Sequence, residues 1–85
     1  MGMDYKLTQH AIDVLQERNI SIEWVKRVVS KPTMVKSDIV DDTLEHRLGE
    51  IVECDNRVLR VVVNARVQPI RIVTAYFDRA MKGKL

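Results

Sequence analysis

Residues 58–79, VLRVVVNARVQPIRIVTAYFDR, read as a long β-hairpin with apolar residues on both faces. With Asn64 facing Pro69 across the turn, directly opposed residues share a face. Leu59, Val61, Val63, Ile70, Ile72, Thr74 and Tyr76 then lie on one side. Arg60, Asn64 and Arg71 lie on the other, among Val58, Val62, Val73, Ala75 and Phe77. A slip of one residue would exchange the partners within each face. Strands that are apolar on both sides must be covered twice. A chain of 85 residues has few helices for the second covering. The second face is therefore expected to receive a partner protein, a second copy of the chain or a nucleic acid.

Upstream of the hairpin the pattern changes period twice. Thr8 is placed to cap a first helix over residues 8–18, with Leu7, Ala11, Val14, Leu15 and Arg18 at helical spacing and Asn19 at its left-handed end. Ser21 caps a second helix with Ile22, Val25, Val28 and Val29 on one side and Trp24 on its flank, and Pro32 stops it near Ser30. Lys26, Arg27 and Lys31 near the end of that helix suit its dipole and need no ligand. A short strand follows at Met34–Ser37, then a turn at Asp41-Asp42. A longer strand runs over Leu44–Glu53, with Gly49 as a candidate bulge. Asp55-Asn56 is a tight-turn signal leading into the hairpin. Helices followed by strands predict an α+β fold, with two N-terminal helices packed on one face of a three- to four-stranded antiparallel sheet. Nothing in the chain marks a linker or a repeat, so residues 1–85 are read as one domain.

Hydrophobic residues make up 46% of the chain, enough for a single packed layer. There is no run of about 18 apolar residues and no apolar leader, so a membrane span and a signal peptide are not expected. The opening Met1-Gly2 has Lys6 where a myristoylation pattern has Ser or Thr. One cysteine, Cys54, cannot form an internal disulfide, and a reducing cytoplasm is the expected location. The net charge of +2 conceals an asymmetry: +1 over residues 1–35, −5 over 36–56 and +6 over 57–85. The basic last third suits phosphate or carboxylate ligands, whereas charge pairing between adjacent strands would explain the same pattern without a ligand.

The opening TQHAIDVLQERNIS, together with RVLRVVVN and PIRIVTAYFDR, resembles the family of uncharacterised domains called DUF4258, from about Leu7 to Arg79. Such families are usually grouped with the RelE and BrnT toxins of bacterial toxin–antitoxin pairs, small α+β ribonucleases that cleave messenger RNA. The resemblance therefore implies a RelE-like fold, action on RNA without a metal or cofactor, and an antitoxin as partner. It puts His10, Arg18, Arg60, Thr74 and Tyr76 at the family's recurring polar positions. Val14 stands where many members carry an arginine.

Cleavage of this kind drives the RNA 2′-hydroxyl onto its own phosphate, which requires a base, an acid and cations for the developing charge. Arginine suits the last role because its planar fork holds two phosphate oxygens. Arg60 and Arg71 share a face in the assumed register and Arg79 follows the hairpin, so these three are the candidate RNA phosphate clamp. The alternative is that they pair with Glu45, Glu50 or Glu53. His46 and His10 are the candidate proton carriers, with Arg60 as the catalytic cation. His46 either stands beside the arginines or, alternating with Leu44 and Leu48, turns to the core. His10 either acts or helps fix the first helix to the sheet. Tyr76 is placed on the core face, where packing is its expected role. No metal-ligand spacing is present, and Asp38, Asp41 and Asp42 read as turn residues. Cys54 reads as a small packing residue and Trp24 as cover for the core edge. The competing functional class is a catalytically silent module that pairs through its open sheet face with itself or with an antitoxin-like partner.

Overall fold

The computed structural model describes residues 5–85, and the Met1-Gly2 start considered above lies outside them. Helix α1 (Gln9–Glu17) begins where Thr8, in extended conformation, accepts the Ala11 N–H at 3.1 Å. Beyond its end, Asn19 takes a φ of 53°, the left-handed turn expected of it. In the same way Ser21 accepts the Glu23 N–H at 3.2 Å and opens α2 (Ile22–Ser30), which ends two residues before Pro32. Ala11, Val14 and Leu15 are the buried stripe of α1, and Val25, Val28 and Val29 that of α2.

Five strands form one mixed sheet: β1 (Tyr5–Leu7), β2 (Met34–Ser37), β3 (Leu44–Ile51), β4 (Arg57–Asn64) and β5 (Ile70–Phe77), in the order β1-β5-β4-β3-β2. The α+β class and the two helices are as expected, but the sheet is neither three- to four-stranded nor wholly antiparallel. Tyr5–Leu7, whose Leu7 was assigned to the helical stripe, is a short strand running parallel to β5. It covers only Ile70–Ile72 of that edge. Further along β5 the edge carbonyls are met by side chains of the α1 region: Thr8 Oγ1 donates to Val73 O at 3.2 Å and Arg18 Nη1 to Ala75 O at 3.0 Å. A sheet edge left bare would carry unpaired polar groups, so these two side chains complete what the short strand leaves open.

The bulge lies in β5 rather than at Gly49. Val63 pairs with Ile72 but Val62 pairs with Thr74, so Val73 is the extra residue. Gly49 instead continues the β3–β4 register opposite Leu59. A Cβ there would come within 3.1 Å of Val28 Cγ2, so its smallness lets α2 approach the sheet. Strand β3 ends at Ile51, earlier than expected, and a 3-10 turn at Val52–Cys54 leads to Asp55 and Asn56 with φ of 55° and 57°. This is the expected turn.

One extra residue reverses the facing of everything beyond it. Leu59, Val61, Val63 and Ile72 face the helices as expected, joined by Ala75 and Phe77 in place of Thr74 and Tyr76. Burial of each large aliphatic residue here contributes roughly 1.5–3 kcal/mol, so this face carries the stability of the fold. Trp24 covers its edge, meeting the Phe77 ring edge-on at 6.2 Å, and half-buried Cys54 packs at the same margin.

On the second face Leu48, Val58 and Val62 are buried within the chain itself. A 3-10 turn, Arg79–Met81, folds back beside β4, with Asp78 N donating to Val58 O at 2.8 Å. Register places His46 beside Val62 and Arg60 beside Leu48, so polar side chains with long apolar stems frame these residues. No described helix is long and apolar enough to cross a membrane.

Candidate functional site

The second face carries a connected row of polar side chains from the β2–β3 turn to the end of β5. His46 stands on β3 with Leu44 and Leu48, as the alternation required, but these three point away from the helices. The core position considered for His46 is therefore replaced by one on the helix-free side, where its ring meets Arg60 of β4. Arg60 Nη1 lies 2.8 Å from His46 Nδ1, and His46 Nε2 lies 2.6 Å from Asp38 Oδ1. Arg60 in turn places Nε at 2.9 Å and Nη2 at 2.7 Å from Asp78 Oδ2. The side chains of Arg60, Asp78 and His46 are 15–16% exposed and that of Asp38 24%, so the row is sheltered but open to solvent.

The hydrogen bonds determine the tautomer. A guanidinium can only donate, so Nδ1 of His46 accepts and its proton resides on Nε2, which donates to Asp38. The ring is thus neutral, with one nitrogen held by a carboxylate and an acceptor nitrogen facing a cation. Asp38 is itself fixed: its Oδ2 accepts the N–H groups of Val40 at 3.1 Å and Asp41 at 2.9 Å. The Asp41 N–H first, then the His46 ring and the Val40 N–H, hold its carboxyl below the ordinary carboxylate range. Asp78 Oδ1 accepts the Ala80 N–H at 3.0 Å and so starts the turn at Arg79–Met81.

Asp38 and Asp78 were not legible as site residues, Asp38 having been read as part of a turn. The signal for each is strand parity. Asp38 lies two residues beyond Lys36, the partner of His46, and Asp78 two beyond Tyr76, the partner of Arg60. Both are therefore diagonal neighbours on the same face, once register is known. The bulge brings Tyr76 onto this face, paired with Arg60, and Thr74 beside Val62. Packing against the helices, the role expected of Tyr76, is therefore ruled out by register.

The other candidates lie apart. Arg71 shares the face of Arg60 but pairs with Asn64, four residues along β4, about 13 Å away at the usual strand rise. Arg79 follows in the terminal turn and is exposed. His10 is exposed on the first turn of α1, on the helix side of the sheet, and is not brought to His46. The carboxylates proposed as alternative partners are engaged elsewhere or are not used by these arginines. Glu45 holds Arg47 at 2.8 Å, and Glu53 holds Arg27 through two contacts of 2.8 and 2.9 Å. Among the described residues no cluster of three or more His, Cys, Asp or Glu side chains is arranged to hold a metal ion.

Residues 7–77 match the model of a family described as Domain of unknown function (DUF4258). No curated protein and no solved structure matches the chain.

Proposed function

We propose that this chain, which belongs to the DUF4258 family, is an RNA-acting protein of the RelE/BrnT toxin type, an endoribonuclease that uses side chains alone. The observation that carries this reading is the neutral His46 whose acceptor nitrogen faces Arg60, with Asp38 behind the ring. An imidazole whose far nitrogen is held by a carboxylate is the arrangement of a general base, and Arg60 adds a cation beside it.

In this mechanism a phosphate oxygen of RNA draws Arg60 Nη1 from His46, and the freed Nδ1 accepts the proton of the 2′-hydroxyl. The attacking oxygen closes on phosphorus while Arg60 stabilises the added negative charge, with Asp78 holding its guanidinium in place. Tyr76, paired with Arg60 across the strands, is assigned in this mechanism the protonation of the departing 5′-oxygen. The products are a 2′,3′-cyclic phosphate and a 5′-hydroxyl end. Arg71 and Arg79 serve as flanking phosphate contacts, and His10 has no part in the step.

The test is induced expression of wild type and His46→Gln, each shown to be folded by circular dichroism, with growth and total RNA followed. Growth arrest and RNA bearing new 5′-hydroxyl ends are expected for the wild type, with cleavage reduced roughly 10²–10⁴-fold in the variant. Normal growth and intact RNA with the wild type would overturn the reading.

A second reading, a silent interaction module, is favoured by Ile39 and Val40. They project from the β2–β3 turn 99% and 94% exposed, on a backbone that Asp38 holds in shape. Self-association that persists at high salt and is lost in Ile39→Ser/Val40→Ser would support it, since apolar contacts are not screened.

A further inference from the structure

Three arginines converge on the aromatic end of β5 around a cavity whose own lining holds no carboxylate. A shallow cavity of about 510 Å³ is lined by Arg18, Ile20, Arg57, Tyr76, Phe77 and Arg79. A second, of about 330 Å³, adjoins it through Arg57, Phe77 and Arg79 and is also lined by Asp78 and Lys82. Among the described residues Arg18, Arg57 and Arg79 take part in none of the ion pairs, while the nearby acids are already engaged, Asp78 by Arg60 and Asp55 by Lys82. Arg18 spends one N–H on Ala75 O, and Arg57 lies 4.1 Å over the Phe77 ring, leaving their remaining donors uncommitted. Unneutralised guanidinium groups around a concave surface attract an anion, and their planar forks suit phosphate oxygens.

We propose that this cavity, formed by Arg18, Arg57 and Arg79 beside Tyr76 and Phe77, binds the phosphodiester backbone of single-stranded RNA next to the His46–Arg60 row. The Phe77 ring is already covered by Arg57, so half-buried Tyr76 is the side chain left to meet a base, and an aromatic ring beside arginines favours a nucleic acid over a free anion. Position completes the argument. Tyr76, which lines the cavity, is paired with Arg60, so the cavity meets the face of the row at this one residue, while Arg57 and Phe77 belong to the helix side of the sheet. A strand seated among the three arginines would pass Tyr76 at the end of β5 to reach Arg60 on the opposite face. The inference rests on the RNA-acting reading, but it concerns binding and needs no cleavage.

The test is fluorescence anisotropy of a labelled ten-nucleotide oligouridine with wild type, Arg57→Gln/Arg79→Gln and the single variant Arg79→Glu, which changes only an exposed side chain. Both variants are checked for folding by circular dichroism. The double variant is expected to bind at least tenfold more weakly, and the slope of log affinity against log salt is expected to fall by about 1.4, the counterions of two lost phosphate contacts to a single strand. The Arg79→Glu variant is expected to lose affinity as well. Binding unchanged in both folded variants, or no binding by wild type, would overturn the site. Arginine-dependent binding without any RNA cleavage would support the site and remove only the nuclease reading.

Discussion

Replacing Asp78 with alanine is expected to cost about 3 kcal/mol of folding stability. The change removes both contacts from Arg60 to Oδ2, at 2.9 and 2.7 Å, and the 3.0 Å bond from the Ala80 N–H. Breaking a fully buried ion pair costs about 3–5 kcal/mol, because the surviving charge is left without a partner. Arg60 is 15% exposed and keeps its bond to His46, which moves the expectation to the lower end of that range. For a domain of this size the midpoint of thermal unfolding should fall by roughly 12–24 °C. Urea unfolding gives the free energy directly, followed by the fluorescence of Trp24, the single tryptophan, which packs on Phe77 next to the mutated position. A cycle with Arg60→Met isolates the pair. Removing both charges should cost about 2 kcal/mol less than the sum of the single changes, because neither partner is then stranded. A loss below about 0.5 kcal/mol for Asp78→Ala, together with negligible coupling, is the behaviour of an ordinary surface pair and would refute the reasoning.

Thr8→Val retains the shape of the side chain but deprives both the Ala11 N–H and the Val73 carbonyl of a partner. A loss of about 2 kcal/mol in urea unfolding is expected, the upper end for an N-cap, and a loss below about 0.5 kcal/mol would show that the bulge does not depend on it. Acid stability should depend on Glu53, whose carboxyl is brought from 4.5 to about 2, chiefly by hydrogen bonding to Arg27. A depressed pKa means that the contribution is present above pH 4.5 and is lost as pH falls toward 2. The difference in stability between wild type and Glu53→Gln should therefore be largest near neutrality, close over that interval and shrink with added salt. A difference that does not vary with pH would count against the Arg27 pairing.

The helices were legible from the sequence because their signals act within a few residues. Thr8, Asn19, Ser21 and Pro32 each constrain the backbone beside them, and the structure has them in those roles. The α+β class, the β2 limits and the turn at Asp55-Asn56 follow from similarly local chemistry. Half of the hairpin was legible too, because alternation carries Leu59, Val61, Val63 and Ile72 to the helices in any register of the right parity.

His46 and Arg60 were legible as candidates, but tertiary structure alone decided that they meet and that Asp38 and Asp78 hold them. Val73 carries no local mark of a bulge, and its carbonyl finds Thr8 sixty-five residues away in the chain. That single extra residue moves Tyr76 beside Arg60 and Asp78 onto the same face. Strand β1 was hidden for a similar reason, since three residues have too little alternation to be told from the start of a helix, and only the edge of β5 gives them a partner. Periodicity in a sequence records which face a side chain shares with its near neighbours. Which side chains meet across strands depends on register, and register is set by contacts between distant parts of the chain.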